Sequence, residues 1–376
     1  MAIEIKEVKT KKDLKQFVRF NIELYKGHPY HVPGLMEEEL MTLDRKKNPA
    51  FEQSEAIYFL ACNEKQEVVG RIAGIINYKA NEIWKQKAAR FGFVDFVDDN
   101  ETVDALFKAV EEWARQKGME EIHGPLGFTD MDHEGMLVHG FDLMGTMATI
   151  YNYPYYPSHM ERMGYVKAQD WKEYKIYIPT EIPEKHRRIG EIAREKYGLK
   201  TLRFKSRKEI WPYANKIFQA LNLAYAPLYG VTPLTEKQIE YYVKMYIPML
   251  RLDMIAIIVR EADDQVAGFA ISLPNLSHAL RKASGRIFPF GFIPLLRALY
   301  GKPKVVDLYL TGVLPEYRGK GVNAMFFNAL IPVYQKVGCV YAESNPELET
   351  NNAVQAQWDY FRREHHKTRR AFKKSL

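Results

Sequence analysis

The sequence predicts a mixed α/β protein built from two tandem copies of one fold. A strand, polar turn and strand containing Val-x-Gly occurs twice, at 57–77 and at 254–273. After each of them come a strand, a long helix, a strand and a further helix in the same order. One difference separates the copies. A glycine turn, 315-PEYRGKG-321, opens the long helix of the second copy, where the first has the acidic, glycine-free 97-VDDNET-102.

Taken in order, residues 3–8 form a strand, 11–26 an amphipathic helix and 57–77 a strand pair. A strand at 91–97, a helix at 102–117 closed by Gly118, and a strand at 120–124 follow, then a short helix ending at Gly164 and a strand pair through 165–178. Residues 1–178 make the first domain. The segment 179–198 reads as a linker and the start of the second domain, because IPTEIPEKH interrupts the periodicity. The second domain, 199–376, repeats the scheme: a strand at 199–205, helices at 208–229 and 235–248, and the strand pair 254–273. A strand at 305–313, the glycine turn, a helix at 321–336 that Pro332 should kink, a strand at 339–344 and a helix at 351–363 complete it.

Composition narrows the partners. The chain has 376 residues, 47% of them hydrophobic, enough for two cores, and a net charge of +7 that favours an anionic partner such as a phosphorylated cofactor, an acidic lipid surface or nucleic acid. Cys62 and Cys339 are too few and too distant for a disulfide framework or a metal site. No apolar signal core or membrane-length segment is evident, so a cytoplasmic location is expected. Nucleic acid is disfavoured, since the cations are spread rather than striped and no helix-turn-helix, zinc or aromatic single-strand motif occurs.

The glycine turn is the strongest chemical signal. Gly319 and Gly321 let the backbone turn without a Cβ penalty, and a helix start leaves several N–H groups pointing outward. With Arg318 and Lys320 beside them, this is a place that suits phosphate. A solvated turn of purely geometric purpose is the competing reading.

A second cluster lies in 124-GPLGFTDMDHEGMLVHGFD-142 and 151-YNYPYYPSHMERMGYVKAQDW-171. Asp130, Asp132, His133 and Glu134 share one loop after a strand, followed by Tyr151, Tyr153, Tyr155 and Tyr156, a concentration of titratable groups that points to proton transfer or substrate binding. No compact histidine spacing suggests a metal. On strand 305-VVDLYLTGV-313, Asp307, Tyr309 and Thr311 alternate with apolar residues and are expected on one face, and Glu343 and Asn345 follow on the next strand.

The order of elements and the R-x-x-G turn resemble the GCN5-related N-acetyltransferase (GNAT) superfamily, duplicated across nearly the whole chain. Arg318 and Gly321 match its R/Q-x-x-G-x-G/A signature, while Asn323 stands where Gly or Ala is usual. The resemblance implies an acyl-CoA site at Val313, Arg318, Gly319, Lys320, Gly321, Val322, Asn323 and Asn352, with the fourth and fifth strands splayed to admit the pantetheine. The runs at 124–142 and 151–171 are similar to a bacterial ceramide synthase-like branch. That implies acetyl-CoA or a longer acyl-CoA as co-substrate, no metal, and a long-chain lipid amine as acceptor.

Direct transfer to an amine needs a base, an oxyanion donor and an acid for the leaving thiolate. The candidates are Asp307 or Glu343 as base, with His133 competing, and Tyr360 as acid, a role that the superfamily often gives to a tyrosine on its last helix. Asp130, Asp132, Glu134, Tyr153, Tyr155 and Tyr309 are the candidate acceptor-binding residues. Between the third and fourth strands of the second copy, 275-NLSHALRKASGRIFPFGFIPLLRALYGK-302 carries an apolar run framed by cations. Residues 285–301 are therefore candidates for peripheral contact with the inner membrane, against burial as a hairpin. The basic tail 362-RREHHKTRRAFKK-374 reads as a terminal edge strand with a solvated face. A non-catalytic acyl-CoA-binding or regulatory protein of the same fold is the alternative to an acyltransferase.

Overall fold

The computed structural model describes residues 3–376. The chain divides into two compact units, residues 1–172 with 277–294 and 367–376, and residues 173–276 with 295–366. They are not the contiguous halves 1–178 and 199–376. Two pieces of chain account for the difference: part of the insertion and the last ten residues both belong to the first unit.

In the first unit, Glu4–Glu7, Ser54–Cys62, Val68–Asn77 and Ala88–Phe96 pair antiparallel in sequence order. Ala88–Phe96 then pairs in parallel with Glu121–Gly124. The second unit repeats this order: Leu199–Leu202, Ile255–Arg260, Val266–Pro274 and Val305–Val313 are antiparallel, and Val305–Val313 pairs in parallel with Tyr341–Ser344.

The copies exchange their last strands. Beside Glu121–Gly124 lie residues from the C-terminus of the chain, with Phe372 opposite Gly124, whereas beside Tyr341–Ser344 lie residues from the end of the first copy, with Tyr177 opposite Tyr341. The basic tail is thus an internal element of the first unit's sheet and not a solvated edge. Strand Arg363–Ser375 also pairs with Met136–His139, and Lys367 and Arg369 are buried.

Local signals explain most helices. Thr10 and Asp13 form a capping box before Lys11–Leu24, and Asp99 caps Asn100–Gln116, whose apolar face carries Leu106, Phe107 and Val110 into the first core. Three expectations are revised, and one segment that was left without elements gains them. The segment read as a linker contains a helix, Glu184–Tyr197, begun at Pro183 and closed by Gly198. The pair read at 165–178 is one long strand, Val166–Tyr177. The last helix is only Asn352–Ala356, followed by the 3-10 turn Gln357–Tyr360. The insertion forms two helices, Ser277–Ala283 and Phe292–Tyr300. Among the described residues no helix is long and apolar enough to cross a membrane.

Candidate functional site

The glycine turn adopts the conformation that its residues favour. A 3-10 turn, Pro315–Tyr317, leads through Arg318 to Gly319 at φ +74° and Gly321 at φ +82°, and Gly321 caps helix Val322–Val337 without any side-chain hydrogen bond. Those left-handed conformations favour glycine. With no side chain serving the cap, the first helical amides point toward whatever occupies the turn. Arg318 donates to the carbonyl of Ala224, and the Lys320 ammonium lies 5.2 Å from the Tyr197 ring and 5.5 Å from the Tyr317 ring. Both cations are thereby held near the turn. Asn323 donates to the Gln357 side chain at 3.2 Å, which ties the helix start to the 3-10 turn and gives the unusual residue a packing role. Asn352 is exposed at the start of its short helix.

The two parallel strands part just beside this turn. Pairing between Val305–Val313 and Tyr341–Ser344 runs only from Val305/Tyr341 to Leu308/Ser344. Beyond it, the carbonyls of Tyr309 and Thr311 are met by the side chains of Asn345 and Tyr225. On its other side the strand has a β-bulge. Ile271 faces Leu310 and Ser272 faces Leu308, so Tyr309 is the extra residue. The bulge breaks the expected alternation. Leu308 and Thr311 line an apolar cavity of about 60 Å³ with Phe326, Leu330 and Trp358, whereas Tyr309 and Leu310 line another of about 40 Å³ with Phe218 and Tyr246. Thr311 therefore does not share a face with Tyr309.

Asp307 and Glu343 are register neighbours on the parallel strands, and both are buried. Asp307 accepts a hydrogen bond from Asn275 at 2.8 Å. Glu343 lies with Glu173 and His366 in a group whose carboxylate oxygens and imidazole nitrogen are all within 4.8 Å of one another, the His366 Nε2 to Glu343 Oε1 distance being 3.6 Å. Two carboxylates and an imidazole at this spacing can pass a proton or hold a divalent ion. Sequence reasoning missed Glu173 and His366. An acid at an inward position of a strand was the available signal for Glu173, whereas His366 was hidden in a tail read as solvated.

Tyr360 is exposed on the 3-10 turn, where its hydroxyl accepts from Lys185 at 2.5 Å, and it does not line the apolar cavity. Glu347 is joined to that cavity through Trp358, which lines it. Trp358 Nε1 donates to one Glu347 carboxyl oxygen at 2.7 Å, the other is buried without a hydrogen-bond partner, and burial pushes the Glu347 pKa up to about 8. A carboxyl group still protonated at neutral pH is a second acid candidate.

In the first unit, the acidic loop occupies the corresponding place. It follows strand Glu121–Gly124, whose parallel pairing with Ala88–Phe96 ends at Arg90/His123, and Leu126 N returns to the carbonyl of Phe91 at 2.9 Å. Asp132 accepts from the amides of Phe128 and Thr129, and Arg90 donates to the carbonyl of Gly127. Asp130, Asp132 and Glu134 lie deep in the protein but keep part of their surface open to water, as groups lining a recess do. Burial raises Asp130 and Asp132 to about 6 and Glu134 well above the usual carboxylate range. Glu38, not foreseen from the sequence, joins them. Burial, with help from the Asp132 and Glu39 charges, takes it to about 7.

The other loop candidates have different surroundings. His133 bonds through Nε2 to the carbonyl of Met147 at 2.9 Å, and although its ring keeps surface open to water, the protein packed around it lowers its pKa. Tyr153 stacks between Tyr25 and Tyr155, and the Tyr153 and Tyr155 hydroxyls donate to the carbonyls of Leu24 and Phe96. These two tyrosines spend their polar ends on the core.

A bulged strand, a splayed parallel partner and an uncapped glycine turn, in a sheet order that occurs twice, define the tandem GNAT fold. The tandem GNAT protein from the clavulanic acid biosynthesis pathway superposes with a TM-score of 0.56 and 13% identity, over 100% of this chain and 98% of that one. By sequence, the chain is 29% identical over 378 residues to the bacterial ceramide synthase of Caulobacter vibrioides (strain NA1000 / CB15N), which covers 98% of this chain and 96% of that protein. It is 27% identical over 376 residues to protein YghO of Escherichia coli (strain K12), covering 97% and 94%. No protein-family model matches. The fold and this whole-length similarity support an acyltransferase in general.

Proposed function

We propose that the protein is an N-acyltransferase that moves an acyl group directly from acyl-CoA to a long-chain lipid amine, working at the cytoplasmic side of a membrane. The observation that carries this reading is the uncapped Gly319–Gly321 turn beside the splayed strands, which suits a pyrophosphate at the helix start and a pantetheine along the open strand edge. The adjoining apolar cavity favours an acyl chain longer than acetyl. The likeness to a ceramide synthase favours a sphingoid-type amine as acceptor.

In this reading Glu343, with Glu173 and His366, takes the proton from the attacking amine, and Asp307 shares the task. The amine nitrogen bonds to the thioester carbonyl carbon, the C–S bond breaks, and the thiolate leaves with a proton from Glu347 or Tyr360. The first unit's Glu38, Asp130, Asp132 and Glu134 are assigned the capture of the acceptor in its ammonium form before transfer, and the amine that reacts is the neutral form, its extra proton released to water.

Acceptor binding has a pH signature. Carboxyls raised to about 6 and about 7 hold protons in the folded state that their unfolded forms, at 3.8 and 4.5, have already released. The folded protein thus binds more protons between those values, and stability falls as pH rises through that window. A cationic long-chain amine replaces those protons, so its thermal stabilisation should grow from about pH 5 to about pH 8. Glu38→Gln should raise the ligand-free melting temperature at the upper pH and weaken the amine effect. An amine effect that is independent of pH and unchanged in Glu38→Gln would remove the acidic loop from acceptor binding.

A further inference from the structure

We propose that the loop between helices Ser277–Ala283 and Phe292–Tyr300 is a membrane-docking element that inserts Phe288 and Phe290 among anionic lipids. Both phenylalanines are 72% exposed, and no other large apolar side chain among the described residues is as open to solvent. They flank Pro289 at the tip, and Phe292 and Leu296 extend the exposed apolar surface.

The tip is built, not loose. Arg286 N donates to the carbonyl of Ala283 at 3.0 Å, Phe292 N to that of Ile287 at 2.9 Å and Ile293 N to that of Phe290 at 3.2 Å. Gly291 closes the turn where a Cβ would fall 1.7 Å from the Arg286 carbonyl oxygen. The base is clamped to the first unit: Met36 N donates to the carbonyl of Gly285, Ser277 Oγ to that of Gly145 and Arg281 to that of His28. The backbone that carries the aromatic pair is therefore ordered before binding, which lowers the cost of docking.

Charge selects the occupant. From Gln265 to Val306 the chain has no Asp or Glu, yet it has Arg281, Lys282, Arg286, Arg297, Lys302 and Lys304. A protruding aromatic tip with a purely cationic frame matches an interface with apolar depth and phosphate at its surface. A bilayer supplies both without needing a shape-matched groove. The inference extends the lipid-acceptor reading, but its test needs no turnover, so either can fail alone.

The experiment is co-sedimentation of the full chain with phosphatidylcholine vesicles, with and without phosphatidylglycerol. Binding to the anionic vesicles should exceed binding to pure phosphatidylcholine and should weaken with salt. Phe288→Ser with Phe290→Ser should lower partitioning by roughly tenfold or more, with an unchanged melting curve. Lys282→Glu with Arg286→Glu should remove only the preference for anionic lipid. Wild-type protein left in the supernatant, or a double phenylalanine variant that binds like wild type, would overturn the proposal. So would a dimer that the phenylalanine substitutions convert to monomer, because the patch would then be the seat of a second copy.

Discussion

Gly319→Asp is expected to weaken acyl-CoA binding by roughly a hundredfold while the protein remains folded, and Gly319→Asn is expected to bind with a much smaller loss. Gly319 has φ +74° and nothing within 4 Å of where a Cβ would lie, so either side chain has room. Asn and Asp both tolerate the left-handed region, and the backbone cost is nearly common to the two variants. What differs is a full negative charge beside the diphosphate. At an effective dielectric near that of a protein surface this repulsion is about 2–3 kcal/mol, a loss of roughly a hundredfold. Gly321 is a poorer target. A Cβ there would lie 2.7 Å from Ile189 Cγ2 and 3.2 Å from Ala193 Cβ, so substitution would push on helix Glu184–Tyr197 as well as on the ligand. Calorimetric titration with CoA decides the matter, and equal affinities of the two Gly319 variants would take the phosphates away from this turn.

Glu343→Gln is expected to lower kcat by about two to four orders of magnitude with little change in acyl-CoA affinity, the signature of a lost proton acceptor. The amide keeps the shape of the side chain in a buried position on the sheet. Asp307→Asn should cost less, because Asn275 already occupies one of its oxygens. A chelator should leave the wild-type rate unchanged if the Glu173, Glu343 and His366 group passes protons; a rate lost to the chelator and restored by a divalent ion would make it a metal centre. Wild-type kcat in Glu343→Gln would move the base elsewhere, with Asp307 and His133 the remaining candidates from the sequence.

Much of this was legible because it is local. The glycine turn announces itself through two residues that only a left-handed backbone requires, and the duplicated order of strands and helices follows from periodicity and caps such as Asp99. What escaped is non-local or is written in a single residue. The Tyr309 bulge adds one residue to a strand without disturbing its apolar pattern, yet it sends Thr311 to the opposite face from Tyr309. The exchange of last strands leaves every local signal unchanged, because a strand reads the same whichever copy it joins. That exchange is why the basic tail, with Lys367 and Arg369 buried, looked like a solvated edge. Glu173 and His366 lie far from Glu343 in sequence and meet it only through the fold. The helix behind the glycine turn was masked by prolines that suggested a linker, although Pro183 begins it.

The absence of glycine from 97-VDDNET-102 sets the first copy apart from the second, and the local structure gives that difference a physical meaning. Asp99 fills the cap of helix Asn100–Gln116 with its own carboxylate, where the second copy leaves the corresponding cap open at Gly321. An anion is repelled from one helix start and invited to the other. In the first copy the recess beyond the parallel strands holds carboxyls instead, which suit a cation. One fold, used twice with opposite charge, would bring the two substrates of an amide-forming reaction to a single chain.

The most direct measurement is mass spectrometry of the purified protein incubated with palmitoyl-CoA and a sphingoid-type amine, with released CoA thiol counted in the same samples. The account predicts an amide that carries the acyl chain, one thiol per amide, and no acyl group left on the protein. Intact acyl-CoA beside unmodified amine, from protein that binds both, would contradict it and leave a binding protein built on an acyltransferase fold.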